Sequence, residues 1–163
     1  AVFYFSLLGF SVSTVVHFST VLGLNFFANS NLTYFLHVLL FIPFGTMILD
    51  AKKEFGEVEK SKLYDLVRTS PVLMKLLVFI VVLYALGNFF YSVLHLMEGS
   101  PSLRGGSYIV ENRGELIREI TLEEYEKLKR LEIRAFSGHW LIFFLMPTAY
   151  FYLKPAFKNR LNR

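Results

Sequence analysis

Four long apolar segments constrain this chain more than any other feature of its sequence. They cover residues 2–22, 32–49, 71–97 and 139–153. A helix needs about 20 apolar residues to cross roughly 30 Å of hydrocarbon, and each segment approaches or exceeds that length once residues 136–138 are counted with the fourth. With 54% hydrophobic and 18% charged residues, the chain is also too apolar for an ordinary soluble domain. The sequence therefore predicts an all-α integral membrane protein, a four-transmembrane-helix bundle in the lipid bilayer.

The distribution of basic residues predicts how these spans are oriented. The 51–70 loop is rich in lysine and arginine, and so is the tail after the fourth span, whereas the 23–31 connection has neither residue. Because cytoplasmic loops carry the excess of positive charge, we expect both termini and the 51–70 loop to be cytoplasmic. The chain then divides into three spans within 1–97, an external or periplasmic cap at 98–137, and a last span with a basic cytoplasmic tail at 138–163. The basic residues alternate with acidic ones, so the sequence predicts no nucleic-acid partner.

The external segment has the turn and capping signals of a small folded cap. Apolar residues flank a turn in which Gly114 supplies a positive φ, which predicts a β-hairpin over 107–120. Thr121, followed three residues later by Glu124, forms a capping box. We therefore expect a hairpin-plus-helix cap whose helix covers 122–136.

All the histidines lie within or at the mouth of predicted spans: His17, His37, His95 and His139. An ionisable side chain in a span is costly and usually binds a ligand, carries protons or pairs with a partner. At 1.5 Å per residue, His17 and His37 both lie about 7 to 8 Å below the same membrane face, where they can face each other. His95 and His139 lie nearer the interface and form a predicted second pair. The sequence thus predicts one histidine-lined site near the outer face.

Polar neighbours indicate that these histidines point into the bundle. On the first predicted helix, one face carries Ser6, Ser13, His17 and Thr20, and on the third one face carries Tyr84, Asn88, Tyr91, Ser92 and His95. We expect both faces to point away from lipid.

Three kinds of chemistry can use such a site. Two neutral imidazoles can ligate the iron of haem b, with Arg104, Arg113 or Arg134 from the cap pairing with its propionates. Three or four imidazoles can instead bind a transition metal ion such as zinc, copper or iron, with Glu98 as an oxygen ligand. The cluster can also relay protons or hold a quinone-like ligand through Tyr91 and Asn88. Alternatively, each histidine simply bonds a serine or a carbonyl group on a neighbouring helix.

The entry to the fourth span has a local resemblance to a known family. Arg134, Phe136, Ser137, Gly138, His139 and Trp140 lead directly into the apolar segment. This string is similar to the Arg, then His-Trp, helix entry of b-type membrane cytochromes of the cytochrome b561 and formate dehydrogenase gamma-subunit kind. The resemblance covers this string alone, and it implies haem binding.

The sequence therefore favours a membrane protein that binds haem b or a related tetrapyrrole for electron transfer. The alternative is a cofactor-free accessory or scaffold subunit that packs in a larger membrane complex or a homo-oligomer through its phenylalanine-rich faces. A histidine metal site, in a metalloenzyme or a metal carrier, is the third interpretation. No Gly-rich phosphate loop or serine nucleophile elbow is present, so the motifs identify no reaction.

Overall fold

The computed structural model describes residues 1–27, 32–55 and 60–161. In chain order the helices are α1 (Val2–Val21), α2 (Leu32–Leu39), α3 (Phe41–Phe55), α4 (Lys60–Thr69), α5 (Val72–His95) and α6 (Leu122–Leu161). The strands are β1 (Ser100–Arg104), β2 (Ser107–Asn112) and β3 (Glu115–Glu119). The predicted 23–31 connection, 51–70 loop and basic tail each extend partly onto residues outside the described ranges.

Three helical segments in the described part are long and apolar enough to cross a membrane: Val2–Val21, Thr33–Glu54 and Val72–His95. The second comprises α2 and α3, which meet at Leu40. These segments match the first three predicted spans. The described part of the chain is mostly helical and contains three candidate membrane helices. Much of the predicted 51–70 loop is helical, because α3 continues to Phe55 and α4 follows.

A single helix of 40 residues, α6, joins the predicted cap helix to the predicted fourth span. It begins as predicted, with the Glu124 N–H donating to Thr121 Oγ1 over 3.2 Å. It does not end at 136, because Ser137 and Gly138 both pack against neighbouring helices and tertiary contacts offset their weak helix propensity.

Every other helix packs against α6. α1 runs antiparallel to it, with Phe3 near Tyr152 at one end and His17 bonded to Ser137 at the other. α5 is also antiparallel, since Pro71 and Pro155 line the same groove while Asn88 lies beside Arg134. The central helix thus fixes the relative level of the residues on its neighbours.

The core lies between α6, α1 and the α2–α3 pair. Trp140 and Phe144 are each 1% exposed, and they pack with Val16, Leu36 and Leu40. The predicted inward face of α1 is confirmed, because its four polar residues are all buried: Ser6, Ser13, His17 and Thr20. On α5 the predicted face is buried only at Asn88 and Ser92.

The cap contains a three-stranded antiparallel sheet in the order β1-β2-β3. The predicted hairpin is confirmed as β2 and β3, and Gly114 has the expected positive φ of 85°. The sequence analysis did not predict β1, which a Gly105–Gly106 turn joins to β2. Pro101 lacks a backbone N–H, but β1 is an edge strand and tolerates it.

The close approach of α1 to α6 predicts that Gly9→Ala destabilises the bundle. A Cβ at position 9 would overlap the ring of Phe144, which is buried and cannot move aside. Such overpacking costs about 1–3 kcal/mol. The matched control is Gly45→Ala, because nothing lies within 4 Å of a Cβ at that helical position. Thermal unfolding in detergent should show a lower midpoint for Gly9→Ala only, and equal midpoints would contradict this packing.

Candidate functional site

The segment of α6 from Arg134 to Trp140 forms a polar junction with α1, α5 and α2. Its side chains and carbonyl groups bond His17, Asn88 and His37. We call this cluster the α6 junction. It lies at the end of the bundle nearest the cap, where the sequence predicts the histidine site.

His17 links three helices through its two ring nitrogens. Its Nδ1 lies 2.8 Å from Ser137 Oγ on α6, and its Nε2 lies 2.7 Å from Tyr84 Oη on α5. The imidazole is completely buried. Because hydroxyl groups of the protein occupy both nitrogens, neither is left for a metal ion in this arrangement.

Asn88 binds both the backbone and the side chain of Arg134. Its Nδ2 donates to the Arg134 carbonyl oxygen over 2.9 Å, while Arg134 Nε donates to Asn88 Oδ1 over 2.6 Å. Gly138 makes this approach possible, since a Cβ there would lie 2.7 Å from Asn88 Nδ2. The amide therefore fixes both the level of α5 on α6 and the direction of the arginine side chain.

Arg134 extends from Asn88 over the ring of Tyr91. The guanidinium carbon lies 4.6 Å from the Tyr91 ring centroid, which is the geometry of a cation–π contact. The Tyr91 ring in turn lies 4.2 Å from the His95 ring, centroid to centroid. The structure thus brings Asn88, Tyr91 and Arg134 together, with His95 at the outer edge.

His37 packs on the same stretch of α6, one turn further along. Its Nδ1 accepts the indole N–H of Trp140 over 3.0 Å, and its ring lies 5.4 Å from that of Phe136. An indole N–H only donates, so Nδ1 is the acceptor and the proton of the neutral imidazole is on Nε2. His37 therefore lies at a level similar to that of His17, as predicted. However, its hydrogen bond is with Trp140 on α6, and its ring also lies 6.0 Å from that of Phe41 on α3.

The two remaining histidines are bonded to carbonyl groups of their own helices. His95 Nδ1 lies 2.7 Å from the Tyr91 carbonyl oxygen, and His139 Nδ1 lies 2.8 Å from that of Ala135. Carbonyl oxygens only accept, so each Nδ1 carries a proton, and in the neutral imidazole Nε2 keeps its lone pair. Metal-ligating histidines are oriented in this way.

His95 and His139 pack on different residues of α5. The His95 ring lies 4.2 Å from the Tyr91 ring, and the His139 ring lies 4.9 Å from the Phe89 ring, centroid to centroid. Residues two apart in a helix do not face the same side, so these contacts place the two imidazoles on different sides of α5 rather than together as the predicted pair.

Glu98, the predicted oxygen ligand, belongs to an ion-pair cluster in the cap. Arg118 lies 2.7 Å from Glu98 and 2.6 Å from Glu124, and its hydrogen bonds lower the pKa of both carboxyl groups. Among the residues that the structure describes, no group of three or more His, Cys, Asp or Glu side chains is arranged to hold a metal ion. The described donor set thus does not fit a multi-histidine metal centre.

The sequence analysis placed Tyr84 on the inward face of the third span and Ser137 in the entry to the fourth, but it did not identify either as a partner of His17. Only the packing of α1 and α5 on α6 brings these two hydroxyl groups to the imidazole. A second polar cluster, at the opposite end of α6, was also missed. There Asp50 accepts hydrogen bonds from Tyr150 over 2.8 Å and from Lys154 over 2.6 Å.

Comparisons of the chain with protein-family models, curated proteins and solved structures find no match in any of the three. Functional inference therefore rests on the residues themselves.

The buried position of His17 predicts that Tyr84→Phe is destabilising. The substitution keeps the ring but removes the hydroxyl that bonds Nε2, leaving a buried nitrogen unpaired at a cost of about 1 kcal/mol or more. Tyr91→Phe is the matched control, because the Tyr91 hydroxyl has no recorded partner among the described residues. Unfolding can be followed by the fluorescence of Trp140, the single tryptophan of the sequence. Equal stability of the two variants would contradict a structural role for the Tyr84–His17 bond.

Proposed function

We propose that this protein is an accessory or scaffold subunit of a larger membrane assembly. The main support is the way in which its buried polar groups are used. His17, Asn88 and Trp140 each bond a neighbouring helix of the same chain. Such bonds hold helices together in a membrane, so these side chains act as structural contacts between helices.

In this proposal α6 supplies a fourth span and also carries the cap. A helix of 40 residues is about 60 Å long, twice the roughly 30 Å of the hydrocarbon layer. Residues 138–153 form the embedded part of α6, packed against α1 and α5, and the preceding part supports the sheet. By the positive-inside rule the termini and the 51–70 segment are cytoplasmic and the cap is external.

The outer surface of α5 supports a role in assembly. The buried residues of α5 are Ala85, Asn88 and Ser92. Only 11% of its most apolar 18-residue stretch is buried. The side opposite α6 carries exposed apolar residues at helical spacing: Phe79, Leu83, Phe90 and Leu94. In the proposed assembly this side packs against a transmembrane helix of another subunit or of a second copy.

Site-specific photocrosslinking in the native membrane tests the assembly role. A photoreactive phenylalanine at Phe90 should give a discrete protein adduct, whose mass distinguishes a second copy from another subunit. The matched control is the same probe at Leu8, an exposed residue of α1, which should give no protein adduct. If none of the four α5 positions yields a protein adduct, the face contacts lipid alone and the proposal is wrong.

Tetrapyrrole binding is the second candidate function, and the tautomers of His95 and His139 favour it. Each keeps an Nε2 lone pair, so each is suited to be a single axial ligand. Purified protein supplied with haem should then show a Soret band. One of the two variants, His95→Ala or His139→Ala, should lose this band. A spectrum unchanged in both variants would exclude ligation by these residues.

A further inference from the structure

The guanidinium of Arg134 is fixed on two sides and open on a third. Its Nε is bonded to Asn88, and its face lies over Tyr91. Within the described residues, the outer edge formed by the two Nη atoms has no recorded hydrogen bond or ion pair. An arginine edge of this kind can donate two parallel hydrogen bonds to a carboxylate or a phosphate.

Arg134 differs from Arg118 and Lys154 in having no carboxylate partner among the residues that the structure describes. Arg118 is paired with Glu98 and Glu124, and Lys154 with Asp50. Arg134 is partly buried, yet no carboxylate within the described residues pairs with it. Partial burial of a positive charge is unfavourable without a compensating anion, so this position favours an anionic ligand.

With the end of α5 at the membrane surface, the guanidinium of Arg134 lies at the level of the lipid headgroups. Its carbonyl is level with Asn88, seven residues before the end of the candidate membrane helix α5, and its side chain extends outward to Tyr91. Arginine side chains near helix ends place their charge at the membrane interface in this way. The phosphates of membrane lipids lie in the same region.

A strip of α5 leads inward from Tyr91 and can accommodate an acyl chain. Ile80, Tyr84, Gly87 and Tyr91 recur at spacings of three and four residues and are all exposed. Nothing lies within 4 Å of a Cβ placed on Gly87, so the helix surface is open there and carries no side chain. From Tyr91 to Ile80 the strip is about 16 Å long, comparable to a lipid tail.

We propose that Arg134 binds the phosphate of an anionic membrane lipid whose acyl chain lies along this strip of α5. Asn88 and Tyr91 orient the guanidinium, and the lipid supplies the negative charge. This inference requires a membrane environment but does not depend on the accessory role.

Lipid binding by the purified full chain tests the proposal. Native mass spectrometry would compare phosphatidylglycerol with phosphatidylcholine of identical acyl chains. We expect phosphatidylglycerol to bind more tightly, and Arg134→Gln to weaken its binding about tenfold, the effect of losing a charge-assisted pair. Lys127→Gln is the matched control, because it removes the same charge from an exposed position of α6 and should change binding less than about twofold.

A second variant tests the acyl-chain strip without touching the arginine. Gly87→Phe places a bulky side chain in the middle of the strip on α5, whereas Gly45→Phe adds the same side chain at another open helical position. Only the first should weaken phosphatidylglycerol binding, with unchanged thermal unfolding in both. The Gly87→Phe variant also tests the proposal if Arg134→Gln fails to fold.

Three outcomes would overturn the proposal. Equal binding of the two lipids would show that the site does not select an anionic headgroup. Equal losses of binding in Arg134→Gln and Lys127→Gln would show that only the net charge of the protein matters. Displacement of the lipid by millimolar inorganic phosphate would assign the site to a free anion.

Discussion

The packing of every helix on one continuous α6 is the constraint on which the rest of this structure depends. α6 extends from the cap to the opposite end of the bundle, and both α1 and α5 are aligned antiparallel to it. Small residues allow the close approach that this requires, with Gly9 under the Phe144 ring and Gly138 under Asn88. In a membrane, where apolar surface gives little reason for helices to associate, such packing and a few hydrogen bonds provide the attraction.

The α6 junction combines two uses of polar side chains in one place. The imidazole of His17 has both nitrogens bonded within the chain, so it joins helices. Arg134 is bonded on one edge and leaves the other directed outward, so it combines a structural contact with the capacity to bind an anion. The first use supports the proposed accessory role, and the second supports the proposed binding of an anionic lipid.

The parts of the structure that could be predicted from sequence are those set by local chemistry. Apolar length predicts the three candidate spans, the spacing of serines and His17 predicts the buried face of α1, and Gly114 and Thr121 predict the hairpin and the helix start. β1 could not be predicted, because its five residues lack alternating apolar positions and include a proline. The continuity of α6 through residues 137 and 138 and the partners of His17 depend on packing between distant segments, which spacing along one chain does not encode.

The continuity of α6 is tested most directly by one distance along it. Spin labels at Lys127→Cys and Ala156→Cys react selectively, because the sequence contains no cysteine and both positions are exposed. These positions are 29 residues apart along the helix, which corresponds to about 43 Å between backbones, slightly less with bending at Pro147. Pulsed electron spin resonance in lipid nanodiscs should give one narrow distribution near that value. A broad distribution, or one centred below about 30 Å, would mean that the helix breaks between the cap and the bundle, and would contradict this account.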